Sequence, residues 1–115
     1  MKILRADSLF SKYIRQRDGH CVRCGSTQAL QCSHYFGRTR WTVRFDPMNC
    51  DCLCYGCHRL WEKEDREAYR RFKVNQLGQD GFEDLCTMAQ LTLKSLGETK
   101  TSMAAKVVEK FKVTP

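Results

Sequence analysis

Apolar side chains recur every three or four residues in three long stretches of the chain, which is the spacing of one face of an α-helix. The first stretch lies between Ser8, a residue type that commonly begins helices, and Gly19, a type that commonly ends them. The second runs from His58 to Phe72, with a stop signal at Gly78, and the third runs from Phe82 to Leu96. The pattern therefore predicts an N-terminal helix and two helices in the second half of the chain.

Two shorter stretches, Ala29 to Tyr35 and Cys50 to Cys54, are typical of short β-strands. After Gly97 the periodicity weakens, and residues 103–112 predict a short last helix or a frayed end. We therefore expect an α+β fold. Residues 1–97 would form a single domain, and residues 98–115 would form a helical or flexible C-terminal extension.

Four of the eight cysteines stand in two Cys-x2-Cys pairs, the spacing at which one tight turn supplies two thiolates to one metal ion. A bound ion would help a small domain, which buries only roughly 60–68% of its unfolded surface. The predicted ligands of this structural Zn²⁺ are Cys21, Cys24, Cys54 and Cys57. Cys50 and Cys52 share a strand face with Cys54. They could replace one of these ligands, bind a second metal, or serve as small buried apolar residues.

The cysteine content would also suit a disulfide-bonded secreted protein, but the first seven residues lack the apolar run of a signal peptide. No stretch approaches the ~20 apolar residues that span a membrane. We therefore expect a cytoplasmic protein with no membrane partner, whose cysteines bind metal in a reducing compartment.

The net charge of +7 is concentrated in the N-terminal part of the chain, where residues 1–45 hold 9 basic and 2 acidic side chains. A one-sided basic field suits a polyanion such as DNA, although simple solubility would explain the charge equally well. Arg38, Arg40 and Arg44 lie between the predicted strands and could contact phosphates. Trp41 among them could stack on an unpaired base or fill the core. No helix resembles a base-reading element, so we expect weak sequence preference.

The order of His34, Asn49 and His58, bracketed by the two Cys-x2-Cys pairs, resembles the HNH nucleases of the ββα-metal fold. The resemblance is strongest to the zinc-ribbon branch, near the phage NinG/Rap recombination nucleases and endonuclease VII. The segment from Cys32 to Arg38 resembles the NinG form of the first motif. The resemblance implies a bacterial or phage-encoded protein with a small ββα-metal core, in which a hairpin and a helix hold one divalent ion. A four-cysteine zinc ribbon, an N-terminal helix and C-terminal helices would flank that core.

The resemblance also implies a role for each motif residue. His34 would be the general base that activates water, Asn49 would hold the loop that positions it, and His58 would bind the catalytic Mg²⁺ or Mn²⁺. Many family members carry an acidic ligand just before the first His, where this chain has Ser33. Glu62 follows His58 by four residues and shares its helix face, so we predict Glu62 as the second ligand of the catalytic metal.

These observations predict an enzyme, a metal-dependent DNA endonuclease that nicks phosphodiester bonds, with branched recombination intermediates as candidate substrates. An imidazole with a pKa near neutrality suits water activation, and a divalent cation relieves negative charge on the phosphate. The alternative is a non-catalytic zinc-ribbon module that binds nucleic acid or a protein partner, which would have no need of His34. The helices after Phe72 could pair two protomers into a homodimer.

Overall fold

The computed structural model describes residues 2–111, which fold into four α-helices and a two-stranded antiparallel sheet. This architecture confirms the predicted α+β class. Within these residues no helix is both long and apolar enough to cross a membrane. In chain order the elements are α1 (Lys2–Asp18), β1 (Leu30–His34), β2 (Cys50–Cys54), α2 (Tyr55–Arg59), α3 (Arg66–Gln90) and α4 (Lys100–Phe111).

The sheet is a hairpin whose two faces pack against different helices. β1 pairs with β2 so that Cys32 lies opposite Cys52 and His34 lies opposite Cys50. Because side chains alternate between the faces of a strand, these four residues share one face, which packs against α1. The opposite face, with Leu53 fully buried, packs against α3. The hairpin therefore sits between the N-terminal helix and the long helix of the second half.

The apolar face of α1 forms a core together with α4. The rings of Phe10 and Phe111 meet edge to face with their centroids 6.0 Å apart. The predicted extension at residues 98–115 thus includes a helix that shares its core with the N-terminal helix, while residues 112–115 lie outside the described part. The buried members of this core on the two helices are Ala6, Phe10, Ile14, Ala104, Val107 and Phe111.

The prediction of one continuous helix from His58 to Phe72 is wrong. α2 ends at Arg59, a π-helical turn covers Leu60–Glu64, and Asp65 leaves helical geometry with φ of −141°. The Asp65 carboxylate then accepts a hydrogen bond from the backbone N–H of Ala68 at 3.1 Å, which caps the start of α3. Apolar residues kept their helical spacing across this break, so periodicity alone could not reveal it.

Other helix boundaries also differ from the prediction. α1 begins at Lys2 rather than at Ser8, so the residues before Ser8 extend the helix instead of leading into it. Gly78, predicted as a stop, produces a kink within α3 through a φ of +78°, a left-handed conformation that glycine adopts without strain. The helix resumes beyond this kink and ends at Gln90, so the helix predicted to reach Leu96 is six residues too long. The last helix begins at Lys100, three residues before its predicted start.

A buried ion pair, which the apolar pattern did not predict, joins β2 to α3. Lys73 and Asp51 are both fully buried, with Nζ and Oδ2 3.1 Å apart. The Tyr69 hydroxyl donates to the same carboxylate oxygen at 3.0 Å, and Gln76 Nε2 donates to the other oxygen at 3.0 Å. Burial lowers the pKa of the Lys73 ammonium and raises that of the Tyr69 hydroxyl. Every buried side-chain nitrogen and oxygen of the network has a hydrogen-bond partner, and the network fixes the position of the hairpin on α3.

Replacing Lys73 with methionine is expected to lower the free energy of unfolding by about 3 kcal/mol, because Asp51 would keep a buried charge without its cationic partner. Urea unfolding followed by circular dichroism measures the change. Lys63→Met is the matched control, since Lys63 is exposed in the π-helical turn and its loss should change stability by no more than about 0.5 kcal/mol. A Lys73→Met protein as stable as its parent would show that the ion pair does not stabilise the fold.

Candidate active site and metal centre

The four predicted zinc ligands converge beside the hairpin. The sulfur atoms of Cys21, Cys24, Cys54 and Cys57 all lie within 4.8 Å of one another, and those of Cys24 and Cys54 are 3.8 Å apart. A regular tetrahedron of thiolates about 2.3 Å from Zn²⁺ has sulfur–sulfur edges of about 3.8 Å. The donor set and its spacing therefore fit a structural zinc ion, which these four side chains would hold.

The turn that contains Cys21 and Cys24 has a backbone geometry suited to binding a metal ion. Gly25 adopts a φ of +82° and donates its backbone N–H to the Cys21 carbonyl at 2.8 Å. Burial acts to raise the pKa of the Cys21 thiol, but backbone N–H groups, including that of Cys24, outweigh it and bring the pKa down to about 6. Arg23 donates to the Cys57 sulfur at 3.3 Å. At Cys21 these donors favour thiolate, the form of cysteine that binds zinc. At Cys57, burial and hydrogen bonds with the neighbouring cysteine side chains outweigh Arg23 and raise the pKa to about 12.

A cleft of about 530 Å³ lies beside β1, between α1 and the turn that follows α2. Four predicted site residues line this cleft: His34, Arg38, His58 and Glu62. The structure thus brings both predicted catalytic histidines and the predicted second ligand of the catalytic metal to one cavity. The other polar side chains that line it belong to Asp7, Ser11, Arg15 and Gln31.

His34 is held with one ring nitrogen bonded and the other available. Its Nε2 lies 2.9 Å from the carbonyl oxygen of Arg44, which can only accept, so Nε2 carries the proton and Nδ1 carries the lone pair. Burial lowers the pKa of His34 below its ordinary value of 6.5, so the imidazole is neutral at pH 7. A neutral ring with an oriented lone pair can accept a proton from water.

His58 presents its lone pair to Glu62. Its Nδ1 lies 2.7 Å from the side-chain oxygen of Gln31, which leaves Nε2 unprotonated, and Nε2 is 3.3 Å from the Glu62 carboxylate. Burial also lowers the pKa of His58, so two electron-rich atoms face each other at short range. Such a pair can bind a divalent cation, and the hydrogen bond between Nδ1 and Gln31 fixes the orientation of the imidazole ring. Gln31 was not predicted, because a single glutamine in a strand carries no distinguishing pattern.

The backbone around Glu62 explains its place in the cleft. The π-helical turn Leu60–Glu64 follows His58 almost directly, and the backbone N–H of Asp65 donates to the Leu60 carbonyl at 2.8 Å, five residues back. Turns of this kind are frequent at functional sites. Ser33, by contrast, is buried on the α3 side of the hairpin with its hydroxyl 3.0 Å from that of Tyr69, so it does not line the cleft.

Asn49 ties together the loop that follows His34. Its buried side chain accepts from the backbone N–H of Phe36 at 2.9 Å and donates to the carbonyls of Phe36 and Val43, each at 3.0 Å. The same residue accepts the backbone N–H of Tyr35 on its own carbonyl at 2.8 Å. This geometry matches the loop-holding role that the family resemblance implied, and a catalytic contribution of Asn49 stays a prediction.

Asn49→Ala is expected to lower the free energy of unfolding by about 2–4 kcal/mol, because it leaves buried backbone groups of Phe36 and Val43 without partners. Thermal or urea unfolding measures the effect. Met48→Ala is the neighbouring control in the same turn, with a side chain that is 59% exposed and should be nearly neutral. Equal stability of the two variants would mean that water replaces the Asn49 amide and that the loop does not depend on it.

In the loop between β1 and β2, some of the predicted DNA-binding side chains contact other protein groups and others are exposed. Arg44 makes a two-point ion pair with Asp7, at 2.6 and 3.0 Å, and its guanidinium stacks on the half-buried Trp41 ring at 4.2 Å. Both Arg44 and Trp41 are therefore occupied within the protein. Arg38 and Arg40 are exposed, and Arg38 lines the cleft. Contact of this loop with DNA stays a prediction, which the structure makes more favourable for Arg38 than for Arg44.

Comparison with known proteins gives one family. The model of the family described as the bacteriophage lambda NinG protein matches residues 3–112. No curated protein and no solved structure gives a match to the chain.

Proposed function

This chain belongs to the family of the bacteriophage lambda NinG protein, and on that premise we propose that it is an HNH-type, metal-dependent DNA endonuclease. The observation that carries the proposal is the shared cleft, where a neutral His34 lies in the same cavity as the His58–Glu62 pair. The reaction is hydrolysis of a phosphodiester bond, and the substrate we propose is DNA, including branched recombination intermediates.

His34 acts as the general base. Its Nδ1 accepts a proton from the attacking water, while the bond from Nε2 to the Arg44 carbonyl holds the ring and stabilises the imidazolium that forms. Asn49 supports this arrangement by closing the loop that joins His34 to Arg44. The base is thus oriented by backbone groups of the loop and needs no carboxylate partner.

The cleft also offers positive charge for a phosphate. The exposed guanidinium groups of Arg15 and Arg38 line it from two sides and can bind phosphate oxygens without reading bases. A divalent cation held by His58 and Glu62 would supply the remaining charge neutralisation at the phosphate and the leaving 3′ oxygen. Phosphate contacts of this kind are expected to give weak sequence preference.

The direct test is incubation of the purified protein with supercoiled plasmid in Mg²⁺, in Mn²⁺ and in chelator. We expect open-circle product with either cation and none with chelator. Binding of the plasmid in a gel-shift assay without cleavage in any metal would overturn the proposal. That outcome would favour a non-catalytic zinc-ribbon module.

Glu62→Gln is expected to lower the nicking rate by about 10- to 100-fold and to raise the Mn²⁺ concentration needed for half-maximal rate, because an amide is a weaker ligand than a carboxylate. Glu62 is exposed, so the substitution should not disturb folding. Glu64→Gln is the control, since Glu64 is an exposed carboxylate in the same turn that does not line the cleft. Equal rates and metal dependence for the two variants would remove Glu62 from the metal site.

A further inference from the structure

A second cluster of soft metal ligands lies on the α1 side of the hairpin, apart from the four zinc-ribbon cysteines. The ligand atoms of Cys32, His34 and Cys50 all lie within 4.8 Å of one another. Cys32 and His34 are two residues apart on one face of β1, and Cys50 is the partner of His34 across the strands. Strand alternation and register bring these three together, so they are not a chance contact between loops.

The donors of this cluster select the kind of ion. Two sulfurs and one imidazole suit Zn²⁺ and are poor ligands for Mg²⁺. Because Nε2 of His34 is bonded to the Arg44 carbonyl, Nδ1 is the nitrogen left to bind a metal, and the carbonyl fixes the ring as outer ligands commonly do. Three protein ligands leave one tetrahedral position open, and Cys32 and His34 both line the cleft, where water can fill that position.

We propose that Cys32, His34 and Cys50 form a second, inhibitory zinc site. Binding releases two thiol protons to solvent and forms two Zn–S bonds and one Zn–N bond. The ion then occupies the same Nδ1 lone pair that accepts the proton from water, so a molecule with zinc in this site has no general base. The inhibition rests on the proposed nuclease function, whereas the metal site itself does not.

The site is tested first by stoichiometry. Protein that keeps zinc in the four-cysteine site is titrated with Co²⁺, whose sulfur-to-metal charge-transfer absorption reports thiolate ligation, and the resident zinc is counted as the first thiolate-bound equivalent. We expect two thiolate-bound equivalents for the parent and one for Cys32→Ala and for Cys50→Ala. Cys52→Ala, a buried cysteine on the same strand face outside the cluster, is the matched control and should retain two. His58→Ala should also retain two, which separates this site from the His58–Glu62 pair.

A single thiolate-bound equivalent in the parent would overturn the site. Two thiolate-bound equivalents in Cys32→Ala would also overturn the site. Because Cys32 is only half-buried, this variant still tests the site if Cys50→Ala does not fold. Protection of Cys32 from alkylation by the second equivalent, measured by mass spectrometry, is the expected companion result. Alkylation of Cys32 at an unchanged rate would count against the site in the same way.

Inhibition is tested by adding Zn²⁺ to the Mg²⁺-dependent nicking reaction, with each protein compared to its own rate without zinc. Loss of the base predicts a decrease of about 100-fold or more for the parent. Cys32→Ala should resist zinc, and equal inhibition of both proteins would overturn the inhibitory role. Absence of nicking by any protein in any metal would refute the nuclease function alone, because the Co²⁺ titration decides the site independently.

Discussion

Replacing His34 with alanine is expected to lower the rate of plasmid nicking by about 10²- to 10⁴-fold, the usual contribution of a positioned general base. The imidazole is neutral, its Nε2 is bonded to the Arg44 carbonyl, and the ring lines the cleft that also contains His58 and Glu62. Removing it leaves the cation-binding pair in place, so DNA binding should persist while turnover falls. Single-turnover nicking and a gel shift on the same preparation measure the two effects separately.

The pH profile gives this prediction a second readout, measured at saturating Mn²⁺ so that protonation of His58, whose pKa burial also lowers, does not limit metal binding. The base is active when neutral, and burial lowers the pKa of His34 below 6.5. Nicking by the parent should therefore stay high at pH 7 and fall only as the pH drops through that lowered pKa. His20→Ala is the control, since His20 is exposed and lies outside the cleft. A His34→Ala protein that keeps both the rate and the acid limb of the parent would show that another group activates the water.

The parts of the site that could be predicted from sequence are those encoded by short spacing. Cys-x2-Cys places two sulfurs at one turn whatever the rest of the fold does, and the step of four from His58 to Glu62 keeps both side chains on one helical face. The strand Cys50–Cys54 was predicted with the bounds that the structure shows, because alternation over five residues depends only on local geometry. These features needed no knowledge of which elements pack together.

The features that escaped prediction depend on partners far away in the chain. Arg44 was predicted to contact DNA, yet its guanidinium is paired with Asp7, 37 residues earlier. The sequence around either residue contains no pattern that predicts this ion pair. A lysine in a helix is normally expected to be exposed to solvent, but the charge of Lys73 is buried against Asp51 of β2. Long-range pairing of polar groups is set by tertiary packing, which hydrophobic periodicity does not record.

The cluster of Cys32, His34 and Cys50 lies between these two cases. The alternation of β1 and β2 predicts that each cysteine faces the same side as its neighbours two residues away, and a second metal was one open interpretation of Cys50. What sequence could not supply was the register, which sets Cys50 directly across from His34 and not across from Cys32. A slip of one residue in this pairing would have moved Cys50 to the opposite face of the sheet.

Removing zinc from the four-cysteine site is expected to abolish the cooperative fold. The segment from Gly19 to Ala29 contains no helix or strand, and the first pair of cysteines would join it through the metal to the end of β2 and the start of α2. Structural zinc sites contribute about 10–16 kcal/mol in small zinc-dependent peptides. Total stabilities of small domains are about 5–15 kcal/mol. The loss is therefore of the same size as the whole stability, and the hairpin that supports His34 and His58 should lose its position.

A strong chelator, or Cys24→Ala, should convert the sharp thermal transition seen by circular dichroism into a broad one, and elemental analysis should show the matching loss of zinc. Cys24 suits this test because it is exposed, so its replacement removes a ligand without opening a cavity in the core. Cys86→Ser is the control, since Cys86 lies in α3 outside the cluster and should leave zinc content unchanged. A zinc-free protein with an unaltered transition would mean that packing of α1, α3 and α4 on the hairpin stabilises the domain by itself. The four sulfurs would then be a binding site on an already stable fold and not the crosslink that makes it stable.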